Sequence, residues 1–315
     1  MLALGYQSVS SFELDSLQKS SMSECSSELP GLVPTALQKF ATVVEHEQMA
    51  RDTWRMRLRC PKVAQQIVPG QFVMVRIPER SDPLLGRPFA LYDVYENAAG
   101  DPEGIEFGYV VVGKMTSLLE SLAVGDRVEV WGPLGNGFPL PPSGHLVIAA
   151  GGIGQTPFLA VIREALRRKV YGNPLREVTQ TPSRITMCYG VRCREYIAGI
   201  DAFHQEGIDL QIATDDGSAG HHGYVTDLLK PLLSEAEPPA VVYCCGPEPM
   251  MHAVAKLTEA TKIPTWVSLE SPMACGFGAC FSCVTRIRQD DGTWDYRRVC
   301  VEGPVFPADK VVFEV

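Results

Sequence analysis

The stretch that decides the fold is residues 273–283, which read MACGFGACFSC. Three cysteines lie in it at positions 275, 280 and 283, and Cys300 follows after sixteen intervening residues. The spacing is therefore C-x4-C-x2-C, with a fourth cysteine further along the chain. Gly276 and Gly278 lie between the first two cysteines, and they suit a loop that turns its N–H groups inward through backbone conformations with positive φ.

This spacing predicts a [2Fe–2S] cluster bound by Cys275, Cys280, Cys283 and Cys300. Plant-type ferredoxins hold a two-iron cluster with three thiolates from one loop and a fourth from a later segment. A structural zinc site is the alternative, but such sites more often show two separated C-x2-C pairs. Disulfides are favoured less, because several of the ten cysteines lie in apolar runs typical of buried strands.

The composition describes an ordinary globular chain of 315 residues with a net charge of −9. This length predicts two or three domains. Basic residues are scattered rather than clustered, so nucleic acid is not an expected partner, and no apolar run approaches the roughly twenty residues that span a membrane. Residues 1–35 are rich in serine and predict a disordered arm. This segment lacks the pattern of a signal peptide, so we expect a cytoplasmic protein.

Residues 36–142 predict a small closed β-barrel. Glycine and proline separate six short β-rich runs, at 41–44, 54–59, 71–76, 89–94, 105–112 and 127–132. Just before one strand, Arg87 presents a guanidinium fork that suits phosphate. Further on, Gly113-Lys114-Met115-Thr116 leads into an expected helix at 117–122, whose first turn suits an anion. Neither motif is specific alone, because the first also fits a surface turn and the second a helix cap.

Residues 143–262 predict an α/β domain with a parallel sheet covered by helices. A strand at 146–150 runs into Gly151-Gly152-Ile153-Gly154 and then into a helix at 156–169. Further strands are expected at 185–189, 210–214, 241–245 and 266–269, and further helices at 201–205, 224–233 and 248–262. A nucleotide is expected at the carboxyl ends of the strands. Residues 263–315 then form a small cluster domain.

No catalytic side chain is predicted. His221-His222 is the only candidate metal pair, but adjacent histidines project in different directions and no carboxylate spacing supports them. Nor does a Ser-His-Asp or Cys-His grouping stand out. Hydride transfer between nicotinamide and flavin needs none, since the protein contributes stacking, orientation and electrostatics.

The order of these signals resembles the ferredoxin–NADP reductase superfamily. More closely, the chain is similar to the electron-transfer subunits of the heteromeric, NAD-linked dihydroorotate dehydrogenases, over about residues 38–315. Matching segments lie at 69–74, 132–138, 214–218, 268–270 and 303–306. The resemblance implies a multidomain fold with a flavin-binding barrel, a nucleotide domain and a C-terminal [2Fe–2S] domain.

The resemblance also implies the residues that contact cofactors. For FAD they are Arg87, Pro88, Phe89, Ala90, Gly108, Tyr109, Val110, Gly113, Met115 and Thr116. For NAD(H) they are Gly151, Gly152, Gly154, Cys245, Gly246 and Pro247. Two positions depart from the family pattern. Met115 replaces a glycine where backbone approaches the flavin, and Ser271-Pro272 replaces Glu-Arg before the cluster loop.

The function implied by the resemblance is electron transfer between NAD(H), FAD and the cluster. The expected partner is an FMN-containing dihydroorotate dehydrogenase catalytic subunit of pyrimidine biosynthesis, in a heterotetramer. Related subunits of hydrogenase, sulfide dehydrogenase or NADH-dependent ferredoxin:NADP reductase are alternatives, as is a sensor without activity. NAD and NADP are not distinguished, because Arg192 and Arg194 suit a 2′-phosphate while Asp215 and Asp216 repel one.

Overall fold

The computed structural model describes residue 33 and residues 36–313. The predicted serine-rich arm, 1–35, therefore lies outside the described residues apart from Val33. Two seven-stranded sheets and one two-stranded hairpin make up the described chain. Within residues 36–313, no helix has the length and apolar character needed to cross a bilayer.

The amino-terminal sheet is antiparallel and has the strand order β4-β3-β7-β1-β2-β6-β5. Its strands are β1 Leu37–Ala50, β2 Thr53–Arg59, β3 Phe72–Arg76, β4 Arg87–Ala90, β5 Asp93–Glu96, β6 Pro102–Val110 and β7 Arg127–Leu134. Two short helices accompany them, α1 Pro61–Ala64 and α2 Lys114–Glu120. The sheet curls so that Phe89 of β4 stacks on Phe107 of β6, with ring centroids 4.7 Å apart. The predicted barrel is confirmed as a curled, barrel-like sheet.

The strand predicted at 89–94 is divided between two strands, β4 and β5, which lie at opposite ends of the strand order of this sheet. β4 pairs with β3, whereas β5 pairs with β6. The chain crosses between them at Leu91 and Tyr92, whose N–H groups donate to Gln71 and Glu106 respectively. The apolar run continues through the crossing because both residues are buried, so periodicity does not reveal the break.

The second sheet has the order β11-β10-β9-β8-β12-β13-β16 and is parallel except for β16. Its strands are β8 Gly144–Gly151, β9 Pro182–Val191, β10 Asp209–Thr214, β11 His221–His222, β12 Val241–Cys245, β13 Thr265–Ser268 and β16 Val305–Pro307. The helices are α3 Phe158–Ala165, α4 Ile200–Gln205, α5 Val225–Leu233 and α6 Glu248–Thr261. The predicted α/β domain with a parallel sheet is confirmed. Helix α3 is shorter than the predicted 156–169, because Pro157 caps its start and Arg167, just beyond its end, has a positive φ of 56°.

The carboxyl-terminal segment contributes two strands to this sheet. β13 and β16 form one edge, and the hairpin of β14 Val284–Arg288 and β15 Trp294–Arg298 lies between them in the chain. Asn136, just after β7, ties the segment to the barrel. Its side chain donates to the carbonyls of Glu302 and Val305 and accepts from the Val305 N–H.

Candidate functional site

The four predicted cluster ligands meet at one place. The Cys280 thiol is hydrogen-bonded to Cys275, and the Cys283 thiol to Cys300. The backbone joins the same partners, since the Val299 N–H donates to the Cys283 carbonyl at 2.8 Å. Cys300 therefore lies beside the other three sulfurs, although sixteen residues separate it from Cys283. The four thiols therefore lie in one place, as the ligands of a [2Fe–2S] cluster must.

The thiols are prepared for deprotonation. Hydrogen bonding to Ser282, whose Oγ lies 3.1 Å from the Cys280 sulfur, lowers the pKa of Cys280 to about 6. The hydrogen bond with Cys300 lowers the pKa of Cys283 to about 6 and raises that of Cys300. Because the thiolate is the form that binds iron, the loop is suited to a metal–sulfur cluster.

The loop conformation follows the glycine pattern. Gly276 and Gly278 have φ of +79° and +101°, as the sequence predicts for an inward-turned loop. A Cβ on Gly276 would lie 2.5 Å from Met74 of the barrel. Among the described residues, no three His, Cys, Asp or Glu side chains converge as a single metal ion requires.

A cavity of about 790 Å³ lies against the barrel rim. Its lining contains all ten residues expected to contact FAD, namely Arg87, Pro88, Phe89, Ala90, Gly108, Tyr109, Val110, Gly113, Met115 and Thr116. The Tyr109 hydroxyl is held 2.8 Å from Nε2 of His46. The Arg87 guanidinium donates to the carbonyls of Leu85 and Gly86. The volume and lining suit a flat ring system.

Met115 is accommodated without disrupting the turn. Its side chain is buried in the barrel core, and Gly113 before it has an extended backbone with φ −171°. The Thr116 hydroxyl holds the turn by accepting from the N–H groups of Val112 and Gly113 at 2.9 and 3.1 Å. Thr116 is therefore engaged with its own backbone rather than turned outward.

A second cavity, of about 710 Å³, lies at the carboxyl ends of the parallel strands. Five of the six residues expected to contact NAD(H) line it, namely Gly151, Gly152, Gly154, Gly246 and Pro247. The sixth, Cys245, lines the flavin cavity instead. Glycine at 154 is required by packing, because a Cβ there would lie 2.4 Å from the Cys245 carbonyl oxygen.

The two cavities share four lining residues: Val110, Val112, Ile153 and Glu270. Sequence reasoning did not single out Glu270, although it ends the matched segment 268–270. Solvent reaches its side chain through the cavities, yet protein surrounds it, and this burial raises the pKa of the carboxyl group. A carboxyl group therefore lies where the two cavities meet.

The charged side chains in the second cavity explain why the sequence does not distinguish NAD from NADP. Arg192 and Asp215 both line it, so charges of opposite sign face the same space. Arg194 is held elsewhere, since its guanidinium donates to the Ser218 carbonyl at 3.0 Å. Asp216 accepts from the Ser218 N–H at 2.9 Å. Only one arginine and one aspartate of the four candidates thus face the cavity.

Three family models match consecutive parts of the chain. Residues 40–138 match an oxidoreductase FAD-binding domain, and residues 148–256 match an oxidoreductase NAD-binding domain. Residues 270–312 match the iron–sulfur cluster binding domain of dihydroorotate dehydrogenase B. The fold and these matches define an oxidoreductase that joins FAD-binding, NAD-binding and iron–sulfur domains in one chain.

Curated relatives narrow this class. The electron transfer subunit of dihydroorotate dehydrogenase B (NAD(+)) from Desulforamulus reducens is 38% identical over 276 residues, covering 87% of this chain and 98% of the relative. The subunit of the same name from Clostridium acetobutylicum is 36% identical, covering 78% and 87%. The chain therefore belongs to the family of dihydroorotate dehydrogenase B electron transfer subunits.

Solved structures agree on the architecture. A structure of an NADH-dependent reduced ferredoxin–NADP oxidoreductase superimposes with a TM-score of 0.72 at 27% identity, covering 87% of this chain and 90% of that one. The Amycolatopsis cytochrome P450 reductase superimposes with a TM-score of 0.56 at 26% identity, covering 72% and 67%. The first covers the larger share of this chain.

Proposed function

We propose that this subunit carries electrons between NAD(H) and a catalytic partner through FAD and a [2Fe–2S] cluster, held by the residues gathered in the two cavities and the cysteine loop. FAD supplies the exchange between a two-electron hydride donor and a one-electron cluster. The observation that carries the proposal is that the two cavities meet at Val110, Val112, Ile153 and Glu270. A nicotinamide and a flavin ring can therefore face each other.

The chain's own residues position and shield the reacting groups. Cys245 is buried and lines the flavin cavity close to Glu270. Half-buried Ile153 provides an apolar wall where the two cavities meet. Apolar walls exclude water and keep a hydride from being lost to solvent. The cluster loop follows directly, since Met273 lines the same cavity two residues before Cys275.

A spectrum with flavin, iron and sulfide counts on the purified subunit tests this proposal. We expect one FAD, two irons and two sulfides per chain. Cys300→Ala removes one ligand and is expected to abolish stable cluster binding while FAD remains. Cys244→Ala is the matched control, because Cys244 is buried in β12 away from the loop. A colourless protein, or one bound metal ion without sulfide, would contradict the proposal and favour the sensor or zinc alternative.

The proposed partner is an FMN-containing dihydroorotate dehydrogenase catalytic subunit, assembled with this chain in a heterotetramer. Its support is that the relatives are named as electron transfer subunits of that enzyme. Phe281 is 62% exposed on the cluster loop, and the Arg298 guanidinium lies 5.1 Å from its ring centroid. Phe277 is 37% exposed beside it. We propose these two aromatic rings as docking contacts.

A binding measurement with the purified catalytic subunit tests the docking contacts. Phe277→Ala with Phe281→Ala is expected to weaken binding at least tenfold, as large apolar anchors at interfaces do when truncated. Leu175→Ala, exposed in the nucleotide domain, is the control. Unchanged affinity in the double variant would leave the two rings as packing residues only.

A second candidate is a subunit similar to the NADH-dependent reduced ferredoxin–NADP oxidoreductase, favoured by the structural match over 87% of the chain. Steady-state rates with ferredoxin and with the dihydroorotate dehydrogenase partner separate the two functions.

We further propose a cytoplasmic location. The nine cysteines within the described residues are all free, as is usual in a reducing compartment.

A further inference from the structure

One tryptophan of the barrel contacts both the flavin rim and the cluster loop. Trp131 lies on β7, and its indole N–H donates to the Cys275 carbonyl at 2.8 Å. The far edge of the same ring lies against Gly86, where a Cβ would come within 2.5 Å of Cη2. Gly86 directly precedes Arg87, the first residue of the flavin motif. A single rigid ring thus joins the two segments.

The contacts around this ring leave the cluster loop little freedom relative to the barrel. A Cβ on Gly276 would lie 2.5 Å from Met74 and 3.2 Å from Leu134, so only glycine fits directly against these two side chains. Asn136, five residues after Trp131, holds the chain just beyond Cys300 through its bonds to Glu302 and Val305. Residues in and just after β7 therefore hold the cluster segment at two places, at Cys275 and just beyond Cys300.

We propose that Trp131 is a positioning residue that fixes the cluster loop against the flavin rim and so sets both the cluster potential and the rate of electron transfer to it. The inference rests on the proposed function. Its physical basis is that transfer depends on the separation and orientation of the two redox groups, and that hydrogen bonding in the outer shell of a metal site orients its ligands. An N–H near the cluster also stabilises its reduced, more negative form.

Trp131→Phe in the full-length holoprotein tests the inference, because phenylalanine removes both the N–H donor and the outer ring edge that lies against Gly86. We expect the cluster potential to fall and cluster reduction by the flavin to slow about tenfold, as for a small misplacement of reacting groups. The rate at which NADH reduces the flavin is expected to remain unchanged. Trp294→Phe, on the exposed β15 of the same segment, is the matched control.

Gly86→Ala tests the same idea from the other side, since its methyl group displaces the indole without changing Trp131. We expect the same direction of change in potential and rate. The inference is overturned if Trp131→Phe and Gly86→Ala both keep the wild-type potential, electron paramagnetic resonance spectrum and cluster reduction rate. It is equally overturned if Trp294→Phe shows the same losses.

Amide hydrogen exchange separates this inference from the proposed function. Faster exchange across residues 273–283 in Trp131→Phe is expected whether or not cofactors are bound, because the Trp131–Cys275 hydrogen bond is a contact within the protein. A wild-type protein that binds neither flavin nor cluster would defeat the proposed function while leaving this contact measurable. Unchanged exchange in that segment would defeat the positioning role.

Discussion

At the scale of single residues, the three glycines at the end of β8 and in the turn after it show different requirements within one motif. A Cβ on Gly151 would lie 2.5 Å from the Met250 sulfur, a flexible neighbour. Gly152 has φ +54° and faces open space. Gly154 faces the Cys245 carbonyl, which cannot move without breaking the sheet. The sequence predicts this turn, but only the structure tells which glycine is needed for packing.

Gly154→Ala is expected to lower the thermal midpoint by several degrees, because a Cβ 2.4 Å from the Cys245 carbonyl oxygen forces two backbone segments apart. Overpacking of this kind costs about 1–3 kcal/mol. Gly113→Ala is the control, since its extended backbone and open surroundings accept a methyl group. Equal midpoints for the two variants would contradict the prediction.

At the scale of elements, the sequence predicts most strands to within a few residues and errs where tertiary pairing decides. The strand expected at 89–94 divides because its halves pair at opposite ends of a sheet. The Phe158–Ala165 helix is shorter than the predicted 156–169, since it begins only after Pro157 and the backbone becomes left-handed at Arg167 beyond its end. The cysteine spacing predicts the four cluster ligands, whereas the Trp131 bond to Cys275 joins residues 144 positions apart, so no local pattern reveals it.

Helix α3 carries a buried carboxyl group that makes stability depend on pH. Glu164 is 3% exposed, and burial raises its pKa to about 7 although Arg176 lies 3.4 Å away. The folded state therefore keeps a proton that the unfolded chain loses near pH 4.5. Stability falls as pH rises from about 4.5 to 7 and stays lower above pH 7, by at most about 3 kcal/mol.

Glu164→Gln removes this ionisation. As pH rises from 5 to 8, the thermal midpoint of the variant minus that of the wild type is therefore expected to increase. Midpoints of the holoprotein at both values provide the measurement. Glu237→Gln, at an exposed position, is expected to show no such trend. A difference between Glu164→Gln and wild type that is independent of pH would refute the interpretation.

At the scale of the whole molecule, one carboxylate joins the two large domains. Asp93 of β5 is 3% exposed and forms an ion pair with Arg163 of α3. It also accepts from Lys169 at 3.1 Å and from the Tyr171 hydroxyl at 2.6 Å. All three partners come from the nucleotide domain. The relative placement of the two cavities therefore depends on this buried group.

Asp93→Asn is expected to destabilise the protein by about 3 kcal/mol, because it leaves buried cations with less compensating charge. Looser docking of the domains is also expected to slow the reduction of FAD by NADH. Unfolding midpoints and stopped-flow flavin absorbance measure the two effects, with Asp101→Asn in an exposed turn as control. Wild-type values for both quantities would show that the domains are held by other contacts.

The placement of β13 and β16 has a consequence for how this protein can be taken apart. Because these strands form an edge of the nucleotide sheet, everything between residues 269 and 304 leaves that sheet and returns to it. A version shortened at residue 262 would expose the side of β12 and invite aggregation. Residues 269–304, which lie between these two strands, are therefore the part that can be exchanged. Chimaeras with a foreign redox module should be joined at residues 269 and 304.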